Sequence, residues 1–600
     1  MSGNTRRKCG TVADHLGSSP GMRLLFGSRE ISLTGTPHLK ERALTWLRRW
    51  IFRFSFRSFL LGLAFFAASM TPSLIPRGAV EQGILGGVVI AIGYLLGQSL
   101  SLIWQAADLP RLGGRIGAAF DSLLTLVVMA LSIWIVIYSL EWQNELRGKM
   151  DMEPVEGRHL IKLTLLTTVT FLLLYGIGAL IAALFHWVRD KFYRIMPPRR
   201  ANVLGVVTVF AILVFVTRDG IFDRVVASLD QSYEAAQELF DVAPPLPPHA
   251  HQSGSAASLI DWAAMGQPGR DFVLTGPDAE TISAFTGQPA KEPLRVYVGR
   301  ANGETPRERA ELALAELIRV NAFEREVLIV TSPTGTGWMD PGSHDPVEYM
   351  HNGDIATVSV QYSYLQSPLA LILETRTGLD QASALLEVIH DYWSGLPEDT
   401  RPRLYAHGLS LGAWSSMYAT NLFRLLDDPI DGAFWAGPPF PSRFWQSIQV
   451  ARNAGSPWVL PEVGGGSLVR YANHVHDASN APAAWGQMRI VFLQYSSDPI
   501  VFYDPFSLFR APEWMNDPPA EDVSQHLVFI PVVTQFQLAL DMALSFSAPP
   551  GHGHAYYARD YISPWVEVTA PDGWTQQDTE RLRAHCDLGV GLGCRNEMDG

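Results

Sequence analysis

The hydrophobic pattern changes character once along the chain. Before about residue 217 the apolar positions run in long, nearly uncharged blocks; from about Leu294 onward they fall into short β-rich runs alternating with amphipathic stretches. Five blocks meet or approach the roughly 20 apolar residues that a helix needs to cross a bilayer. They are Ser58 to Ile75, Gly83 to Trp104, Leu123 to Leu140, Leu163 to Trp187 and the shorter Val203 to Val216. Consecutive blocks this long and this free of charge favour membrane spans over buried core helices. The pattern therefore predicts a tail over 1–56 and a transmembrane helical domain of about five spans over 57–217. The first block follows more than fifty residues of chain, unlike a signal peptide with its short basic leader.

Basic residues cluster in alternate loops, and short Lys/Arg-rich loops tend to stay in the cytoplasm. Arg42, Arg48, Arg49, Arg53 and Arg57 precede the first block, Arg111 and Arg115 follow the second, and Arg189, Lys191, Arg194, Arg199 and Arg200 follow the fourth. The intervening loops carry Arg77 with Glu81, and then Glu141, Glu145, Asp151, Glu153 and Glu156 with few basic residues. An odd number of spans then places everything after about Arg218 outside an inner or plasma membrane; without the fifth span it would lie in the cytoplasm. Pro-rich sequence from Ala243 to Pro248 and the polar stretch to Ser258 read as a linker over 218–258. The remaining domain is expected over 259–600.

Strands are predicted at Leu294 to Val298, Val327 to Thr331, Ile355 to Tyr362, Arg403 to Ala406, Gly432 to Gly437 and Met488 to Tyr495, with helices at Pro306 to Val320, Gly378 to Trp393 and Ala413 to Leu426. Such alternation implies βαβ crossovers and a mostly parallel sheet with helices on both faces.

Composition narrows the chemistry. A formal net charge of −13 argues against a nucleic-acid surface, which needs a basic stripe. Of three cysteines, Cys9 stands alone, while Cys586 and Cys594 are close enough to close a short loop by a disulfide in an oxidising compartment or to remain two thiols. Their spacing fits no zinc pattern, and no P-loop is evident.

The strongest chemical signal is Gly408-Leu-Ser410-Leu-Gly412, placed directly after a predicted strand and before a predicted helix. G-x-S-x-G alone is a weak string, but this context is that of a nucleophile elbow, with Ser410 as nucleophile. A serine hydroxyl needs a base, and the base needs a carboxylate to orient it. Asp498, in Ser497-Asp498-Pro499 after a predicted strand, is the expected acid, with Asp504 its rival. In Gly551-His552-Gly553-His554, His554 is the favoured base and His552 the alternative. Oxyanion donors are expected from the Leu411 N–H and from the loop Thr334-Gly335-Thr336-Gly337. His474 and His476 repeat the spacing of His552 and His554, so a metal shared by these pairs is the competing reading; no cluster of acidic or thiol ligands stands out, and neither metal nor cofactor is expected. His407 reads as a packed residue beside the strand end. The aromatic run Phe434, Trp435, Phe440, Phe444, Trp445 and Trp458 would form core or cap an apolar cleft.

From about Arg57 onward the chain resembles a bacterial family of membrane-anchored α/β-hydrolases with an apolar N-terminal domain. The resemblance rests on Gly408 to Gly412, Tyr362-Ser-Tyr364, Ser497-Asp498-Pro499 and Gly551 to His554. It implies nucleophile, acid and base roles for Ser410, Asp498 and His554, and names no substrate. The expected partners are the lipid bilayer and a small-molecule or lipid ester. An esterase or lipase-like serine hydrolase is the leading expectation; an acyltransferase with the same triad, or a scaffold or transport module with a non-catalytic binding domain, are the alternatives.

Overall fold

The computed structural model describes residues 54–110, 113–214, 243–365, 375–420 and 427–594. The apolar blocks form helices α1 (Phe56–Ser69), α2 (Ala79–Ala106), α3 (Gly114–Lys149), α4 (Arg158–Phe192) and α5 (Pro198–Val214). Among the described residues, α2, α3 and α4 are long and apolar enough to cross a membrane. The expected first span is shorter than its apolar block: α1 has 14 residues, because Pro72 and Pro76 end helical geometry and the apolar Leu74 and Ile75 turn into protein contacts. The 17 residues of α5 reach Val214, where the described segment ends. Small residues let the helices meet closely. A Cβ on Gly93 would stand 2.7 Å from the Gly62 Cα, and one on Gly83 would stand 2.6 Å from the Leu166 Cβ.

After α6 (Gln267–Leu274) and α7 (Ala279–Thr286), the chain alternates strand and helix: β1 (Leu294–Val298), α8 (Pro306–Arg319), β2 (Val327–Ser332), α9 (Pro341–Met350), β3 (Ile355–Val360), α10 (Thr375–Ser394), β4 (Arg403–Leu409), α11 (Leu411–Ala419) and β5 (Gly432–Ala436). Next come α12 (Arg443–Val450), β6 (Val469–Ala472), β7 (Arg489–Leu493) and the short α13 (Pro499–Phe502). Helices α14 (Val533–Ala543), α15 (Ala558–Thr569) and α16 (Gln576–His585) complete the domain. The predicted helix over Ala413 to Leu426 begins two residues earlier, and 421–426 lie outside the described residues.

The seven strands form one parallel sheet in the order β1-β3-β2-β4-β5-β7-β6. Both faces are covered, so the strands are apolar on both sides. Val296, Leu328, Val358, Leu404, Trp435 and Phe492 pack in one core cluster with Leu317, Ile389 and Met417; Ile329, Tyr405, Phe434, Val491 and Leu493 pack in the other with Val347, Tyr561 and Trp565. The edge strand β6 has only four residues, too few for an alternation in sequence to announce it.

The N-terminal helices and the α/β domain meet at one end of the helices. The 69–78 turn lies against α14: Gln537 donates to the Thr71 carbonyl at 2.9 Å, and the Leu74 N–H donates to Asp541 Oδ2 at 3.0 Å. Arg77, with its side chain fully buried, stands 3.3 Å from Asp541 and donates to Ser73, Gln82 and the Ser69 carbonyl. The end of α3 makes the second contact, where Ser524 donates to Glu145 at 2.6 Å and Lys149 donates to the Glu521 carbonyl at 2.8 Å. In the stretch read as linker, 243–258 packs on the α/β domain, with Trp262 donating to the Pro244 carbonyl at 2.8 Å and Ser258 to Glu316 at 2.6 Å. Cys586 and Cys594 are joined by a disulfide.

Candidate active site

Ser410 sits between β4 and α11 with φ +57° and ψ −123°, a conformation that costs a non-glycine residue energy and persists only where the surroundings impose it. Two features impose it. The Ser410 N–H donates to the Ala436 carbonyl of β5 at 2.9 Å. The flanking glycines allow the turn to close: a Cβ on Gly408 would stand 2.4 Å from the Gly412 carbonyl carbon, and one on Gly412 would stand 2.1 Å from the Ser332 carbonyl oxygen. Leu411 is the first residue of α11, so its N–H has no acceptor within the helix.

Asp498 follows β7 and caps α13, accepting the Ile500 N–H on Oδ1 at 2.8 Å. Its other oxygen, Oδ2, is 2.7 Å from His554 Nδ1 and accepts the Tyr556 hydroxyl at 2.8 Å. Burial, and after it the Asp498 charge, pushes the Tyr556 phenol well above its ordinary value, so it stays a donor to that carboxylate. The His554 ring lies against Gly437, whose hypothetical Cβ would stand 2.6 Å from His554 Cε1. Gly437 directly follows Ala436, the residue that holds the Ser410 N–H. His554 Nε2 is buried and has no hydrogen-bond partner among the described residues. Phe546 meets the same ring edge-on, with centroids 5.2 Å apart.

The two histidines of this loop part company. His552 turns to Asp522, with its Nδ1 3.4 Å from Oδ2, and not to Asp498. Asp504 caps its own turn, accepting the Phe506 N–H at 2.8 Å, and approaches Arg510. His407 is packed as expected: Nδ1 meets the Phe434 carbonyl at 2.7 Å, the ring lies among Phe434, Trp565 and His344, and burial lowers its pKa to about 4.

In the loop after β2, the Thr334 N–H donates to the Trp338 carbonyl and the Gly337 N–H to the Thr334 carbonyl, so both are spent within the turn. The Gly335 and Thr336 N–H groups have no acceptor among the described residues. Tyr297 and Gln361 hold the loop by donating to the Gly337 and Thr336 carbonyls at 2.7 and 2.9 Å. Gln361 also donates to the Ser363 carbonyl, which ties the Tyr362 to Tyr364 run to this loop.

Of the aromatic run, Phe434, Trp435 and Trp445 are core residues. Phe440, Trp445 and Trp458 line a cavity of about 460 Å³ beside α13. Two partners went unread in the sequence. Tyr556 stands two residues after His554 in the same loop, whereas Asp522 lies in a loop without periodicity and carries no local signal.

A parallel sheet with helices on both faces, and a glycine-flanked serine in the turn after a central strand, define an α/β-hydrolase fold. A model described as alpha/beta-hydrolase family matches residues 294–582, and one described as alpha/beta-hydrolase family N-terminus matches residues 70–277. The chain therefore belongs to this alpha/beta-hydrolase family, N-terminal domain included. No curated protein matches the chain, and no solved structure does.

Proposed function

We propose that the protein is a membrane-anchored serine hydrolase that cleaves carboxylic esters or related acyl bonds, with Ser410, Asp498 and His554 as nucleophile, acid and base. The observation that carries this reading is the buried Asp498–His554 hydrogen bond, with the opposite ring nitrogen buried and left without a partner among the described residues. Asp498 holds the proton on Nδ1, so Nε2 presents a lone pair and can accept the serine proton. Ser410 Oγ then attacks the acyl carbon, the carbonyl oxygen becomes an oxyanion, and the bond to the leaving alcohol breaks as His554 returns the proton to it. Water repeats the sequence on the acyl-serine and releases the acid. The Leu411 N–H and one of the Gly335 and Thr336 N–H groups are the oxyanion donors, each worth roughly 3 to 4 kcal/mol in such a site.

Two features favour an apolar or lipid-like acyl substrate. Phe546, packed on the His554 ring, is 60% exposed, and it follows α14, the helix against which the 69–78 turn lies. Phe506 and Phe509 are both 73% exposed, flanking Leu508, whose carbonyl accepts the Val532 N–H at the start of α14. The α/β domain meets the ends of α2 and α3 that carry Glu81, Glu141 and Glu145 together with Arg147 and Lys149, whereas Arg115, Arg189 and Lys191 belong to the other ends of α3 and α4 without such a set of carboxylates, which favours an extracytoplasmic active site.

The test is labelling of membranes with a fluorophosphonate probe, comparing wild type with Ser410→Ala and mapping the modified peptide by mass. Labelling at Ser410 that vanishes in the variant supports the reading. Folded wild-type protein that takes no label moves the weight to a binding or scaffold role.

A further inference from the structure

Three residues from separate parts of the chain converge behind the His554 loop: His474 after β6, Asp522 before α14, and His552. Each offers one metal-ligating atom, and these atoms all lie within 4.8 Å of one another. The Asp522 side chain is 2% exposed, and its Oδ2 is occupied by the Ser497 hydroxyl at 2.6 Å and by His552 Nδ1. Its Oδ1 is buried with no partner among the described residues, and so is His474 Nδ1. A buried carboxylate oxygen and a buried ring nitrogen without partners each cost roughly 1 to 3 kcal/mol or more. A histidine–aspartate hydrogen bond accounts for Oδ2 and leaves both of these atoms unexplained.

We propose that His474, Asp522 and His552 bind a divalent transition-metal ion of the Zn²⁺ type, which fixes the loop carrying His554. Two imidazoles and one carboxylate suit Zn²⁺ and its neighbours, whereas Ca²⁺ and Mg²⁺ prefer oxygen-only sets. Tetrahedral ligands about 2.1 Å from zinc stand roughly 3.4 Å apart, so loading draws the widest pair together by a little over an ångström. A cavity of about 480 Å³, lined by His474, Asp522 and Ser496, gives the ion and a fourth ligand access. The connection to the loop is direct: the Gly553 N–H donates to Ser497 Oγ at 3.0 Å, and that hydroxyl donates to Asp522. His554 takes no part as a ligand, because its Nδ1 is committed to Asp498.

The experiment uses the full chain in detergent, purified through a histidine-free tag, stripped with chelator and titrated with Co²⁺ while visible absorption is recorded. Wild type is expected to take up one equivalent with the intense absorption of low-coordinate Co²⁺. His474→Ala and Asp522→Asn are expected to weaken apparent Co²⁺ affinity by about 100-fold or more, beyond the loss of an outer-sphere partner. His476→Ala, at an exposed histidine two residues away, keeps wild-type uptake and serves as control. The half-buried His474 makes its variant the one least exposed to misfolding, and circular dichroism verifies it. Less than half an equivalent bound by wild type, or equal uptake by wild type and both ligand variants, overturns the proposal. Fluorophosphonate labelling of Ser410 is read separately, so failure of the metal site leaves the hydrolase reading standing.

Discussion

Replacing Arg77 by alanine removes the cation from the junction between the N-terminal helices and the α/β domain. The side chains of Arg77 and Asp541 are both fully buried and stand 3.3 Å apart. Asp541 keeps the Leu74 N–H as a donor after the substitution but loses its counter-charge. Breaking a buried pair from one side costs about 3 to 5 kcal/mol, because the remaining charge has neither water nor counter-charge. Burial already raises the Asp541 carboxyl and the Arg77 charge lowers it, so loss of Arg77 raises it further. A carboxyl whose folded pKa lies above its unfolded value loses stability as pH rises from that unfolded value, near 3.9, through the folded one. The defect of Arg77→Ala should therefore be small near pH 4 and full at pH 8. Arg77→Met combined with Asp541→Asn, which leaves no charge and keeps an acceptor for Leu74, should be less damaging than the sum of the single changes. Pulse proteolysis across a urea series reads the folded fraction at each pH. An Arg77→Ala variant within 1 kcal/mol of wild type at pH 8, or a defect that grows as pH falls, would refute the account of this junction.

Asp498→Asn should slow fluorophosphonate labelling of Ser410 by roughly 10³ to 10⁴, since an amide leaves His554 in the wrong tautomer, whereas Tyr556→Phe removes one hydrogen bond to the carboxylate and should cost about tenfold; equal rates for wild type and Asp498→Asn would remove Asp498 from the triad. Gly437→Ala, at φ +53° with a Cβ 2.6 Å from His554 Cε1, should displace that ring and depress labelling more than tenfold at unchanged helix content by circular dichroism. Burial pushes the Asp340 carboxyl from 3.8 up to about 7, against the Tyr561 hydroxyl and the Gly342 N–H, so the folded state holds a proton that the unfolded chain has released between those values. Wild type should lose up to roughly 4 kcal/mol over that window as pH rises, and Asp340→Asn should flatten the curve and be the more stable at pH 8; identical curves would show that Asp340 is ionised throughout.

The sheet was legible because parallel strands buried on both faces read as continuous apolar runs: Ile355 to Tyr362 and Met488 to Tyr495 each contain a strand of the structure, and Val327 to Thr331 falls one residue short of β2. The turn at Ser410 was legible for a related reason, since only glycine fits where the Gly408 and Gly412 backbones approach their neighbours. Apolar length also marked the N-terminal helices, but not where the first one stops. Leu74 and Ile75 are as apolar as any lipid-facing pair; tertiary contact with Asp541, Leu146 and Ala548 is what makes them core.

Local pattern determined elements, and it narrowed the chemistry to a serine, a few carboxylates and a pair of histidines. It favoured His554 and kept His552 as the alternative, because both histidines follow a glycine in the same loop. Packing sets the two rings apart: the one against Gly437 reaches Asp498, and the one turned toward His474 reaches Asp522. Asp522 and Arg77 carry no sequence signature at all, since a charge in a loop is ordinarily solvated. Their burial follows from which loops the sheet order and the N-terminal helices bring together, and the energy of a charge depends on its surroundings more than on its neighbours in sequence.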